Sequence, residues 1–564
     1  MSTSASAARP AAPAPTEPLS HRQIVTILIG LMSGMFLAAL DQTIVASAIR
    51  TIADDLKGLD EQAWATTAYL ITSTIVTPLY GKLSDIYGRK PFFTAAITIF
   101  IVGSLMCTIS STMFQLSGAR AIQGLGAGGL MSLALAIIGD IVPPRERSKY
   151  QGYFMAVFGT SSVLGPVIGG FFADRETLLG IDGWRWVFLI NVPIGIIALA
   201  IVAKTLHLHH HRLDHRIDWW GAVAISVALV PLLIVLEQGR EWGWGSATSL
   251  TCFAVALVGL LAFLLVERAM GDEALLPLRM FTIKTVGVAS LASIVIGMAM
   301  FGGIALIPLY LQLVKGSTPM EAGLQMLPMT LGIMTAAIGS GVLITKTGRY
   351  RVFPIAGTAI IAIALFAMSR IHADTPLSLL MVLMFVLGVG LGCNFQPLTL
   401  AVQNAVRPQD IGVATSSATF TRQMGGTIGT AIFLSVLFSS VPDKISAAMK
   451  AIAPTADFQA ALKDPANAAF AQQLQASSGS GSSGTSVLKD SSFLTTLDPR
   501  LAKPFLTGFA DSMDLVFLLA GAVAVVGFLI MTQLPHVELR SSSSYTERAR
   551  EHAAADAQAE PARA

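Results

Sequence analysis

Charge is scarce in this chain. Lys, Arg, Asp and Glu make up 13% of its 564 residues, about half the share of an ordinary soluble domain, while 53% are hydrophobic. That shortage excludes a soluble globular protein of this size. Cysteine is scarce as well. Cys107, Cys252 and Cys393 lie singly in apolar runs, so neither a disulfide framework nor a cysteine metal site is indicated. The first 20 residues lack a basic start and an apolar h-region; rich in Ala, Pro and Ser, they read as a disordered tail and not as a signal peptide. There is no Gly-x4-Gly-Lys-Ser/Thr loop to cradle nucleotide phosphates, which disfavours direct ATP drive, and no His-Glu-x-x-His or Gly-x-Ser-x-Gly signature. The histidines of HLHHHRLDH (207–215) are adjacent in a basic loop and fix no ligand geometry. No metal, no cofactor and no enzymatic chemistry are expected.

What the chain has instead is apolar runs of about 20 residues, each able to cross a ~30 Å hydrocarbon core. Fourteen can be read, the first at 24–48 and the last at 512–533. With no water in the lipid to satisfy backbone groups, runs this long are helices and not barrel strands. Loops after even-numbered runs carry the basic residues, among them Lys82, Arg89 and Lys90, then Arg145, Arg147 and Lys149, then Lys346, Arg349 and Arg351. Loops after odd runs are poorer in them. By the Lys/Arg bias the even loops and both termini face the cytoplasm. One outer loop, 440–511, is long and contains the flexible ASSGSGSSGTS; flanking ISAAMKAI and FQAALKDPANAAFAQQL read as short surface helices. Two readings of it stand, a lid or interaction element and a tolerated insertion.

An internal repeat sets the halves. GKLSDIYGR (81–89) is echoed by GVLITKTGR (341–349), with Gly81/Gly341, Leu83/Leu343, Gly88/Gly348 and Arg89/Arg349 in register and Thr345 in place of the acid. The copies follow runs 2 and 10, which are equivalent turns if runs 7 and 8 are inserted. Parallel halves of this kind are typical of transporters that rock about a central site. The expected organisation is a tail at 1–20, a six-helix bundle at 21–203, two inserted helices with their loops at 204–284, a second six-helix bundle at 285–540 that includes the outer loop, and a tail at 541–564.

Gly81-x-Leu83-x-Asp85-x-x-Gly88-Arg89-Lys90 resembles the loop signature of the major facilitator superfamily. LDQTIVASAI (40–49), RAIQGLGAG (120–128) and GTSSVLGPVIGG (159–170) are similar to three motifs of its drug:proton antiporters with fourteen spans, and GDIVPPRERSKYQG, WRWVFLINVPIG and RQMGGTIGTAI are weaker matches. Arg50 departs from the pattern, where many relatives carry proline. The resemblance implies an all-α membrane protein with the major facilitator fold, two six-helix bundles plus two inserted helices. It implies a multidrug efflux antiporter of the bacterial cytoplasmic membrane, powered by a proton gradient and exporting amphipathic, cationic compounds. The alternative on the same fold is a dedicated exporter of a lipid, siderophore, antibiotic or other metabolite. Expected partners are a small-molecule substrate, protons and the bilayer, with no nucleic acid, and the chain is expected to be a monomer.

Particular side chains follow. Asp41 is an acid inside a span, costly and therefore a functional candidate. Arg120 enters the membrane at a matching depth, with Gln123 about one turn below it. Burial favours the neutral acid and Arg120 the charged one, so the pair is read as a proton relay, with a static ion pair as the bland reading. Asp85 can pair with Arg89 or with the N-terminal dipole of a neighbouring helix, a cytoplasmic latch built with Gly81 and Gly88. Gly159, Gly165, Pro166, Gly169 and Gly170 offer a bend and a small-residue face, and by the resemblance limit proton leak. Glu321 and Asp514, at span ends, and Arg422, deeper, are further substrate or cavity candidates.

Overall fold

In the computed structural model of the chain the described residues are 21–57, 62–173, 175–206, 218–464, 467 and 497–539. The two expected tails, the histidine run and the Ser/Gly segment lie outside them. Helices account for nearly all of the rest: α1 (His21–Asp55), α2 (Gln62–Tyr87), α3 (Arg89–Thr108), α4 (Met113–Ile141), α5 (Pro144–Ala173), α6 (Trp186–Leu189) and α7 (Asn191–Thr205). There follow α8 (Trp219–Trp242), α9 (Ala247–Met270), α10 (Leu278–Thr282), α11 (Lys284–Leu313), α12 (Pro319–Gln325) and α13 (Leu327–Thr347). The last are α14 (Val352–Met368), α15 (Leu377–Ala405), α16 (Ile411–Ile452), α17 (Ala456–Leu462) and α18 (Pro499–Thr532). One two-stranded hairpin, Thr177–Leu178 with Ile181–Asp182, precedes α6.

Among the described residues twelve helical stretches are long and apolar enough to cross a membrane. Two of the fourteen expected spans are not among them. α14 is apolar but only 17 residues long. α2 has 26 residues but is diluted by Thr66, Thr67, Thr72, Ser73, Thr74 and Thr77. The hydroxyls of α2 fit its position, for it packs on α4 and on α16. Thr72 Oγ1 donates to the Ala121 carbonyl of α4 at 2.8 Å, so the polarity is satisfied inside the protein.

The larger departure from the sequence reading is at 440–511. α16 runs unbroken through 42 residues, about 63 Å at 1.5 Å per residue and roughly twice the hydrocarbon thickness. ISAAMKAI forms its last turns, FQAAL belongs to α17, and α18 begins at Pro499. Polar residues around Pro442 end the apolar run without ending the helix. The projecting parts pack on one another: Phe458, Ala461 and Leu501 form a small buried cluster, and Gly508 lies against the backbone of Ile445.

Packing in the two halves repeats. Contacts of α1 with α5, α2 with α4, α3 with α4, α1 with α7 and α3 with α7 recur as α11 with α16, α13 with α15, α14 with α15, α11 with α18 and α14 with α18. The two most extensive contacts between the halves are α2 with α16 and α5 with α13, and the repeat exchanges one for the other. α8 and α9 pair together, and α8 touches α2 and α16. The repeat glycines have a backbone reason: Gly88 (φ +101°) starts α3 and Gly348 (φ +70°) ends α13, both in conformations that L side chains rarely adopt.

Candidate functional site: a buried ion pair and a charged helix cap

Asp41 of α1 is fully buried, and polar side chains from two other helices, α4 and α7, donate to it. Arg120 Nη1 donates to its Oδ2 at 2.6 Å, while Gln123 Nε2 and Asn191 Nδ2 donate to Oδ1 at 2.9 and 2.7 Å. Arg120 also donates to Gln123 Oε1 at 2.7 Å and to the Ala65 carbonyl at 3.3 Å, and its guanidinium lies 4.1 Å from the Tyr69 ring centroid. Asn191 Nδ2 donates to Ser104 Oγ of α3 at 3.0 Å, and that hydroxyl donates to the Phe188 carbonyl at 2.9 Å. Five helices, α1, α2, α3, α4 and α7, thus meet around one carboxylate. Gly124 and Gly103 let them approach, since a Cβ on either would overlap backbone of the facing helix. The sequence reading singles out Asp41, Arg120 and Gln123 but misses Asn191, Ser104 and Tyr69. Asn191 stands in the WRWVFLINVPIG stretch, the one signal that could have marked it.

At the end of the molecule that bears the basic loops, a second cluster ties the halves. Arg89 makes an ion pair with Asp85 at 2.5 Å, donates from Nε to Asp140 Oδ2 at 2.8 Å, and bonds the Ser84 hydroxyl. Asp85 Oδ2 accepts the Val413 N–H at 3.0 Å, so the carboxylate sits at the first turn of α16, where free N–H groups and the helix dipole favour negative charge. Both pairings named from the sequence are therefore made at once. Gly81 and Gly412 are required for closeness: a Cβ on Gly81 would overlap the Ser416 side chain, and one on Gly412 would overlap Arg89 and Asp85. Next to it Arg147 donates to Gln403 Oε1 of α15 at 2.6 Å and to the Gly139 carbonyl at 2.5 Å. Gln403 in turn donates to Thr415 Oγ1 of α16 at 2.9 Å. The second copy of the repeat is built differently. Thr345 bonds its own helix at Gly341, and Tyr350 and Arg351 reach Pro535 and Thr532 beyond and at the end of α18.

The glycines of α5 divide their work. Gly165 and Gly169 lie against Thr43, Ile44 and Ser47 of α1, and Thr43 Oγ1 donates to the Ser161 carbonyl at 2.9 Å. Gly159 faces Thr330 and Met334 of α13, and Pro166 faces Gly323 of α12, so this side of α5 meets the other half. At Gly170 the space is open, and a Cβ there would have nothing within 4 Å.

Other expected cavity residues are placed elsewhere. Glu321 is exposed, and its carboxylate accepts the Thr318 N–H at 2.8 Å in a capping box that starts α12; helix capping, not a cavity, accounts for it. Asp514 lies in the first half of α18 with its Oδ2 3.7 Å from His372 Nδ1. With Asp511 these two form the group among the described residues whose ligand atoms, all within 4.8 Å of one another, could share a metal ion. Arg422 does lie deep in α16, half-buried, with its guanidinium 4.7 Å from the Phe395 ring centroid.

Known proteins resemble this chain throughout. The chain is 36% identical to Multidrug resistance protein 3 of Bacillus subtilis (strain 168), covering 78% of this chain and 85% of that protein. It is 30% identical to Efflux pump dotC of Dothistroma septosporum, covering 94% and 87%. Among solved structures, the proton:xylose symporter XylE superposes with a TM-score of 0.57 at 16% identity, over 94% of this chain and 99% of that one, a likeness of fold alone. The Major Facilitator Superfamily model matches residues 31–430, well over half the chain. This helical membrane protein, a transporter and not an enzyme, therefore belongs to the Major Facilitator Superfamily.

Proposed function

We propose that the protein exports amphipathic small molecules, cationic dyes among them, in exchange for protons, by alternating access between its two halves. The observation that carries this reading is the buried Asp41–Arg120 pair. A proton on Asp41 removes the charge that holds Arg120, Gln123 and Asn191 together, and it leaves a guanidinium uncompensated in the membrane. That is a large local change from one proton, delivered where five helices meet. A cationic substrate competes with Arg120 for the same carboxylate, which couples proton and cargo through one group. In this reading residues 21–203 and 285–540 are the rocking halves, with the inserted pair at 204–284. The Asp85 cap on α16 holds the cytoplasmic side shut, and the protein works as a monomer of fourteen spans in the cytoplasmic membrane with both termini inside.

The test is purified protein in liposomes with an imposed pH gradient, following ethidium and proton flux together. Coupled flux in the wild type that disappears in Asp41→Asn is the expected result. Coupling that survives Asp41→Asn would move the proton site away from Asp41. No movement of any dye by wild type would favour the dedicated metabolite exporter.

A further inference from the structure

We propose that Arg422 forms an anion subsite that extends the cargo to amphipathic acids, molecules with an aromatic or aliphatic body and one carboxylate, sulfonate or phosphate. The proposal rests on the efflux reading above and adds a class of substrate to it.

Charge balance leads to it. In the first half the two ionised groups at the buried centre, Asp41 and Arg120, neutralise one another. Arg422 has no such counterpart in the second half. α11, α13, α14 and α15 contain no acid at all. α16 contains one, Asp443, 21 residues further along and about 32 Å away at 1.5 Å per residue. The acids of α18, Asp511 and Asp514, stand beside His372 of the turn between α14 and α15. Among the described residues no hydrogen bond or ion pair engages the Arg422 guanidinium. It lies 11 residues from the start of α16, about 17 Å into the span, and at this depth it stays ionised because arginine does not give up its proton in proteins. An unpaired cation inside a span is expensive and marks a ligand path by default.

Its geometry suits an oxyanion. The guanidinium carbon lies 4.7 Å from the Phe395 ring centroid, and among the described residues no hydrogen bond takes up its N–H donors. A guanidinium with free donors takes a carboxylate or sulfonate with two parallel hydrogen bonds. The backbone beneath is fixed: Gly297 lies against the Arg422 carbonyl, Gly425 against Ile294 and Gly429 against Met298, so α11 and α16 touch closely along this stretch. The fork is thus presented from a rigid element. Phe395 supplies apolar surface for the body of the ligand.

The experiment uses two fluorescent probes with one ring system: 1-anilinonaphthalene-8-sulfonate, and N-phenyl-1-naphthylamine, which lacks the sulfonate. Binding to full-length protein in nanodiscs is measured for wild type, Arg422→Gln and Arg422→Lys. Transport in liposomes is measured beside it, with ethidium as the cationic reference. We expect Arg422→Gln to lower the affinity for the sulfonate relative to the amine by at least about tenfold, with Arg422→Lys, which keeps the charge but not the fork, falling between the two. The sulfonate-to-ethidium flux ratio should fall in parallel. Equal relative affinity in wild type and Arg422→Gln overturns the proposal, whatever the transport result. Loss of all three probes in step overturns it too, because Arg422 would then be serving the structure. Failure of proton-coupled ethidium export with the affinity difference intact would sink the efflux reading and leave the subsite standing.

Discussion

Removing the Arg120 guanidinium would strand the Asp41 carboxylate in a fully buried site, and an uncompensated buried charge costs roughly 3–5 kcal/mol. Asp41→Asn likewise leaves the Arg120 guanidinium without a counter-charge, with only an amide oxygen to donate to. Both Arg120→Ala and Asp41→Asn should therefore melt below wild type in nanodiscs, and the double variant should recover part of the loss. Single variants that melt with wild type would show that the pair carries no such energy. Asp41 and Arg120 are legible in the sequence because charge inside an apolar run is conspicuous. Asn191 and Ser104 are not, since uncharged polar residues are common in spans and only the folded chain shows that they meet at the same carboxylate. Glu321 misleads for the opposite reason: a carboxylate three residues after a threonine is first of all a capping signal, and Thr318 uses it as one.

At the scale of elements, the contact between α2 and α16 is decided by two glycines. Gly412→Val would force a branched side chain into the space held by Arg89 and Asp85, separating the first turn of α16 from its cap. Spin labels at Tyr87 and Arg407 should then show a longer mean distance, and uphill transport should fall by an order of magnitude or so, since the halves no longer close against one another. Unchanged distances in this variant would mean that α16 is held by other contacts. The loop signature conveys that Asp85 meets a cation or a helix dipole, but not which helix. The partner is more than 300 residues away, and its N-terminus has no mark in sequence beyond the Asp410–Ile411 junction. The helical character of α2 is plain from its sequence, but its threonines become intelligible only once it is seen between α4 and α16.

At the scale of the whole molecule, the repeated packing of α1–α7 and α11–α18 is foreshadowed by a single pair of turns, because the halves share geometry and hardly any sequence. The Ser/Gly stretch at 476–486 has no counterpart in the sequence of the first half. Deleting it should leave the rate of dye export within about twofold, because long surface insertions are tolerated at small thermodynamic cost; a variant that inserts normally yet exports nothing would give the stretch a role as a lid. The length of α16 is hidden from a sequence reading, since hydropathy reports where lipid ends and not where a helix ends. That length has a further consequence. The helix is capped by Asp85 at one end and projects past the membrane at the other, so it behaves as a pointer pivoted at the charged cluster. A tilt of about 5° there sweeps the far tip through roughly 5 Å over its ~63 Å length. In the orientation proposed above, a dye on Lys450 would register that swing from outside an intact cell, turning an event on the inner face into an optical signal on the outer one.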